Sequence, residues 1–306
     1  MRTIGPQASA VVTRCVHALL FVGAITIGCV SVARAEGQAA PSGIVANPCV
    51  GAPRMPPSMR PYFKRLLDST PPAVAHQQPA DFAAYKIAAD KAKLTDWPNL
   101  CYYRADNVRL AARPANERRV VYIGDSLTEL WGVANPEFFE HGRVDRGVSG
   151  QTTAQMLVRF QPDVIALRPQ IVHILAGTND LAGNTGPEAP QDVHNNIAAM
   201  VTLAHANGIR VVLASLFPTR QFPWSPTLQP GPQIVALNTW LKSYARRVGA
   251  TYVDYYSLLA TPNGALRPEL TIDGVHANSA GYRIIEPLSR STVEGEPLRA
   301  SAPLNP

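Results

Sequence analysis

Cysteine is scarce in this chain of 306 residues, with four in all. None of the four stands at Cys-x-x-Cys spacing, which excludes a thioredoxin-like redox motif and a zinc ribbon. Of seven histidines, none is spaced with a second His or a carboxylate in a recognisable ligand motif, so no metal is expected. No Gly-rich phosphate loop is present either, so no nucleotide, and hence no cofactor, is expected. An excess of one charge is also missing. The formal net charge is +6, and taking away Arg2, Arg14 and Arg34 with their acid-free surroundings leaves +3, too small and scattered to imply nucleic acid as a partner. The long apolar run "ALLFVGAITIGCVSV" is shorter than the roughly 20 residues needed to cross a bilayer.

What is there begins with that run. Residues 1–35 place Arg2 and Arg14 before it and "ARA" after it, the layout of a secretory signal peptide. Cys29 lacks the preceding leucine and small residue that lipid anchoring uses. An exported protein, periplasmic or secreted and without stable membrane insertion after cleavage, is expected. Cleavage would leave an even pair, Cys49 and Cys101, in a compartment that permits disulfides, so these two are expected to pair.

Residues 36–113 read as an N-terminal appendage. A Pro-rich arm up to about Arg60 leaves no room for a regular element. "PYFKRLLDS" and "PADFAAYKIAADKAKLTDW" then show helical spacing, with Phe82, Tyr85, Ile87 and Ala88 roughly on one face. From 114 to 292 short β-branched runs alternate with helical stretches. "RRVVYIG", "GRVDRGV", "QIVHILAG", "IRVVLASLF" and "ATYVDYY" are the expected strands, and "NSAGYRIIEPLSR" is a last helix interrupted by Pro287. Residues 293–306 are expected to be a disordered tail. The alternation predicts a flavodoxin-like, three-layer α/β/α fold with a five-stranded parallel sheet in the order 2-1-3-4-5.

In that order strand one lies between strands two and three, and three loops meet at the carboxyl edge of the sheet. They end in Gly124-Asp125-Ser126, in Gly147-Val148-Ser149-Gly150 and in Gly177-Thr178-Asn179-Asp180. A serine flanked by a free backbone N–H and an asparagine amide suits acyl transfer, which needs a nucleophile and donors aimed at an oxyanion. The expected donors are the N–H of Ser126, the N–H of Gly150 and the side chain of Asn179. A base and its orienting carboxylate are supplied by "LTIDGVHANSAGY", where Asp273 and His276 stand three residues apart.

These residues resemble the SGNH hydrolases, also called GDSL esterases and lipases. "GDSLTELW", "RGVSGQTT", "GTND" and "DGVHANSAGY" stand in that family's order between about Val120 and Arg290. The resemblance implies that Ser126 is the nucleophile, that Gly150 and Asn179 complete the oxyanion hole, and that Asp273 and His276 complete a triad. It does not extend to the appendage.

Other positions have plainer expected roles. Asp125 tightens its turn, Asp180 orders the loop of Asn179, Ser149 is a loop residue, and His173 and Trp131 sit in the core or beside the site. The long loop "FPTRQFPWSPTLQPGPQ" offers Phe222 and Trp224 as substrate-binding aromatics, or as side chains that merely pin the loop. The expected activity is hydrolysis of a small-molecule or glycan ester through an acyl-serine, with a short acyl group, most simply acetyl, on a carbohydrate-like alcohol. The alternatives are a lysophospholipase or thioesterase acting on longer chains, a cell-envelope acyltransferase, and a degenerate glycan-binding domain.

Overall fold

The computed structural model describes residues 43–69 and 77–295. The expected leader 1–35, the first part of the arm, His76 and the tail from 296 lie outside the described residues. From Asn47 onward the described residues form one unit.

Among the described residues ten α-helices and five strands follow one another. The helices are α1 (Met59–Asp68), α2 (Phe82–Ala92), α3 (Arg104–Ala111), α4 (Ser126–Ala134), α5 (Thr153–Asp163), α6 (Thr178–Leu181), α7 (Pro190–Ala206), α8 (Gly231–Val248), α9 (Tyr256–Leu259) and α10 (Ser279–Glu294). The strands are β1 (Val120–Gly124), β2 (Arg143–Gly147), β3 (Ile171–Leu175), β4 (Arg210–Ala214) and β5 (Thr251–Val253). All pair in parallel in the order β2-β1-β3-β4-β5, as the alternation of strands and helices predicts.

Successive strand side chains point to opposite faces, and here both faces are apolar. Val121, Ile123, Val172, Ile174, Val211 and Leu213 pack under Met156 and Phe160 of α5, Ile197 and Met200 of α7, and Ile234 and Leu241 of α8. Val120, Tyr122, Ile171, Leu175, Val212 and Ala214 pack under Leu127 and Trp131 of α4 and Tyr282 and Ile285 of α10. Each such side chain contributes about 1.5–3 kcal/mol by leaving water. Trp131 is fully buried, stacked between Phe138 and Tyr282, with its indole N–H donating to Glu286 at 3.0 Å.

Glycines set how closely the first turn of α4 approaches the sheet. Gly124 and Gly147 are register partners at the ends of β1 and β2. A methyl on Gly147 would run into the backbone nitrogen of Glu129 and the carbonyl oxygen of Asp125. The absent side chain therefore seats the turn that carries Ser126.

Residues 47–113 do not form a layer of their own. α1 lays Leu67 onto the α4–α10 core, and polar straps hold the rest. Gln151 and Gln155 donate to the carbonyls of Pro98 and Trp97 at 2.8 Å each, Tyr103 donates to Gly147 O at 2.5 Å, and Arg60 donates to Gly132 O at 2.8 Å. Cys49 and Cys101 are joined in a disulfide with their Cα atoms 5.3 Å apart.

Four details differ from the sequence expectation. α3 has no apolar stripe to betray it, because its one buried residue is Asn107. Ile87 points outward at 71% exposure, so the inward face of α2 is narrower than the spacing suggested. Pro287 does not interrupt α10. Both Pro287 and Arg283, whose carbonyl it leaves without a helical partner, are exposed, so the lost bond falls on the solvent side of the helix. The same helix runs to Glu294, two residues into the expected tail. Among the described residues no helix is long and apolar enough to cross a membrane.

Candidate active site

β1 delivers Asp125 and Ser126 at the carboxyl edge of the sheet, and the cap of α4 is Asp125, not Ser126. The Asp125 carboxylate accepts from the N–H of Leu127 at 2.9 Å, which leaves the serine hydroxyl free to point out of the turn. As the first residue of α4, Ser126 also has an N–H without a partner in its own helix. Ser126 Oγ lies 2.9 Å from Nε2 of His276, although 150 residues separate them.

The loop between Thr271 and Ala277, closed by a bridge between those two residues, explains the three-residue spacing. Asp273 Oδ1 accepts from the backbone N–H groups of Val275 at 2.9 Å and His276 at 2.8 Å, and Gly274 takes the positive φ of 85° that such a tight turn requires. The same carboxylate then receives the imidazole, with His276 Nδ1 at 2.7 Å from Oδ2. An Nδ1–H donating to Asp273 leaves the Nε2 lone pair facing the serine hydroxyl. Burial pushes the Asp273 carboxyl up, but hydrogen bonds and the charge interaction with His276 outweigh it, so the group sits below the usual carboxylate range.

The other two loops close around the serine. Gly150 adopts φ of 82°, and its N–H has no acceptor among the described residues. Asn179 is buried, and its amide donates to Asp125 Oδ2 at 3.1 Å and to Gln151 O at 3.0 Å, while its own oxygen accepts from Asn184 at 2.8 Å. Both amide hydrogens of Asn179 are thus engaged, which sequence spacing could not show. Burial raises the Asp125 carboxyl to about 6, against the lowering effect of the Leu127 N–H. Asp180 accepts from the N–H of Thr153 at 3.0 Å and from its hydroxyl, tying the Asn179 loop to the start of α5. Burial likewise raises its pKa.

The two aromatic candidates separate. Trp224 is 46% exposed, lines the cleft beside Ser126, and has its ring centroid 6.0 Å from that of His276. Phe222 is fully buried against Ala182 and Val275 and does not line the cleft. It supports Trp224 from below at 5.2 Å, so its expected contact with substrate is corrected to a packing role. Burial in an apolar loop leaves no periodicity by which the sequence could distinguish the two.

Several residues at the site were not visible in the sequence. Glu129, one turn after Ser126, turns toward the β2 loop, where it accepts from Tyr102 Oη and from the N–H of Ser149 at 2.8 Å. Arg159 is fully buried beneath the serine turn, donating to Gly124 O at 2.9 Å and to Asp163 at 2.9 Å. An arginine on the polar-looking strip of α5 carries no motif, and only the (i, i+4) spacing to Asp163 hints at a pair. Among the described residues no group of three or more His, Cys, Asp or Glu side chains is placed to hold a metal.

The model of the GDSL-like lipase/acylhydrolase family matches residues 122–284, more than half of the chain. The chain belongs to this family. Family membership makes it a carboxylic ester hydrolase, and the solved structures it resembles agree. A protein assigned as an acylhydrolase from Bacteroides fragilis is 44% identical, over 65% of this chain and 97% of that one, with a TM-score of 0.63. A GDSL-like lipase from Bacteroides thetaiotaomicron is 42% identical, over 65% of this chain and 98% of that one, also with a TM-score of 0.63. An uncharacterized lipoprotein of Bacillus subtilis, YqeF, is 32% identical over 85 residues, 26% of this chain and 35% of that protein, so the match spans about a third of its length. The family match does not extend to the segment before β1 of this GDSL chain.

Proposed function

We propose that this GDSL hydrolase cleaves carboxylic esters through an acyl intermediate on Ser126, with His276 as base, Asp273 as its orienting carboxylate, and the N–H groups of Ser126 and Gly150 with the Asn179 amide as oxyanion donors. The observation that carries the reading is the unbroken relay from Ser126 Oγ to His276 Nε2 at 2.9 Å and from Nδ1 to Asp273 at 2.7 Å. Ser126 Oγ forms a bond to the ester carbonyl carbon as its proton passes to Nε2. The tetrahedral oxyanion collapses, the C–O bond to the alcohol breaks, and the leaving alkoxide takes the proton back from the imidazole. Water then adds to the acyl group, giving its proton to Nε2, and the serine leaves with that proton. For Asn179 to join the oxyanion hole, one of its amide hydrogens must exchange Asp125 or Gln151 for the substrate oxygen.

Two substrate classes follow from the sequence, a short acyl group on a carbohydrate-like alcohol and a longer acyl chain. Trp224 beside His276 is compatible with a sugar ring, whereas the apolar cleft wall next to Ser126 favours the longer chain. We also infer export, supported by the signal-like leader in the sequence and by the Cys49–Cys101 disulfide. The test is covalent trapping. A fluorophosphonate should label a single peptide containing Ser126, and Ser126→Ala should abolish the label; labelling elsewhere, or labelling of the variant, overturns the assignment. N-terminal sequencing of the protein from a secreting host should begin near Glu36.

A further inference from the structure

The cleft that contains Ser126, His276 and Trp224 has a volume of about 1180 Å³ and does not stop at the catalytic loops. It continues along one face of α4, where Ser126, Glu129, Leu130 and Val133 stand at i, i+3, i+4 and i+7. Seven residues of helix span about 10 Å, the reach of an extended chain of roughly eight carbons. Opposite lies the segment before β1.

α2 is the decisive element on that side. Phe82, Tyr85, Ala89 and Ala92 are half-buried, line the cleft, and recur with spacings of three and four, while the residues between them are exposed, with Lys86, Ala88, Asp90 and Lys91 also bordering the cleft. No residue of α2 is fully buried. A helix that turns a regular apolar stripe inward yet buries none of it in a core is facing a space that something else fills. Phe63 and Leu66 of α1, also half-buried, extend the same wall. The one carboxylate on the α4 side, Glu129, accepts from Tyr102 and Ser149, so its oxygens are turned to protein donors rather than into the space.

We propose that Phe63 and Leu66 of α1 with Phe82, Tyr85, Ala89 and Ala92 of α2, outside the matched family span, form the acyl-chain site of this esterase: they hold a chain of about eight carbons against the Leu130–Val133 face of α4, with the carbonyl carbon at Ser126. The proposal rests on the ester-hydrolase reading above and adds the part of the substrate that this segment selects. The continuity of the wall with the serine favours the acyl group over an unrelated occupant, since the acyl carbon is the one bonded to Ser126. The disulfide staples this wall. Cys101 itself lines the cleft, and its bond to Cys49, 52 positions away in sequence, encloses α1 and α2.

The test is a series of p-nitrophenyl esters from acetate to dodecanoate on the oxidised protein, read as the ratio of kcat/KM for octanoate to that for acetate. The wild-type ratio should exceed about tenfold. Ala89→Trp, which fills the stripe, should lower the ratio at least about tenfold, and Ile87→Ala on the outer face of α2 should leave it unchanged. If Ala89→Trp does not fold, Tyr85→Ala and Phe63→Ala serve in its place and should lower the same ratio. Opening the disulfide in the Cys49→Ser, Cys101→Ser double variant should also lower it. A ratio of one or less with Ser126-dependent acetate turnover overturns the acyl-chain site and leaves the esterase reading standing. A folded Ala89→Trp, or its replacements, with the wild-type ratio overturns it too. So does faster hydrolysis of octyl acetate than of ethyl octanoate, which would place the alcohol in the cleft. Absence of Ser126-dependent turnover on every ester sinks the esterase reading itself.

Discussion

The residues from β1 to α10 and the segment before them are held by different forces. The first region buries most side chains of β1, β3 and β4 on one of two apolar faces. In the second, Met59, Tyr62, Leu67 and Asn107 are the buried residues of its helices, and single hydrogen bonds and one disulfide fix its course. Close packing gives the relay around Ser126 its rigidity. Strapping leaves the cleft wall adjustable, since surface-linked elements open at low free energy. Chemistry and selectivity thus depend on two regions of different stiffness.

Substitutions should break this contrast in a graded way. The largest effect is expected from Ser126→Ala, which should lower kcat by about 10⁴-fold or more while leaving the unfolding free energy within about 0.5 kcal/mol; stopped assays and thermal melts on one preparation check both. Asn179→Ala should cost on the order of 10²–10³ in kcat. Unlike the serine change it should also destabilise, by about 1–3 kcal/mol, because Asp125 and Asn184 lose a buried partner. A destabilised but folded Asn179→Ala with wild-type kcat would show that the bonds to Asp125 and Gln151 are the whole role of this amide. Trp131→Ala should cost about 3–5 kcal/mol of stability, whereas opening the disulfide should cost about 2–4 kcal/mol. The sharper distinction is cooperativity, since Trp131→Ala should lower one global transition and disulfide loss should loosen the segment first, detectable by hydrogen exchange across 59–111.

The smallest effect concerns pH, where the buried His173 and the half-buried Asp145 oppose each other. Burial lowers His173 to about 3, so the unfolded chain takes up its proton first, and stability is lost as pH falls below about 6.5. Burial raises Asp145 to about 7, so the folded state holds the extra proton, and stability is lost as pH rises from about 4 toward 7. Asp145→Asn should therefore gain stability over wild type, by about 1 kcal/mol or more at pH 8, with no gain at pH 4. Denaturant melts at the two pH values measure it, and an equal gain at both would remove the titration argument.

The sheet order was legible because short strand-like runs, most of them rich in β-branched residues, alternate with longer helical stretches. The relay was legible because its loops end at one edge of that sheet. The oxyanion positions were legible only as residues. That Asn179 already spends both amide hydrogens depends on Gln151 and Asp125 arriving within 3.0 and 3.1 Å, a tertiary distance that no spacing encodes. The cleft wall was half legible. The helical period of α2 was visible, but whether its stripe meets a core or a cavity depends on the placement of α4. α3 escaped notice because Asn107, its buried contact, is polar and pairs with Asp163 at 2.6 Å.

One strap has a consequence for how such a protein can change. Gln151 and Gln155 grip residues 97 and 98 by their backbone carbonyls, and a carbonyl is offered by any amino acid. The hydrolase thus recognises the path of the wall without reading its sequence there. Lineages, or an engineer, could exchange the wall for another of the same path and inherit a working catalyst with a new preference.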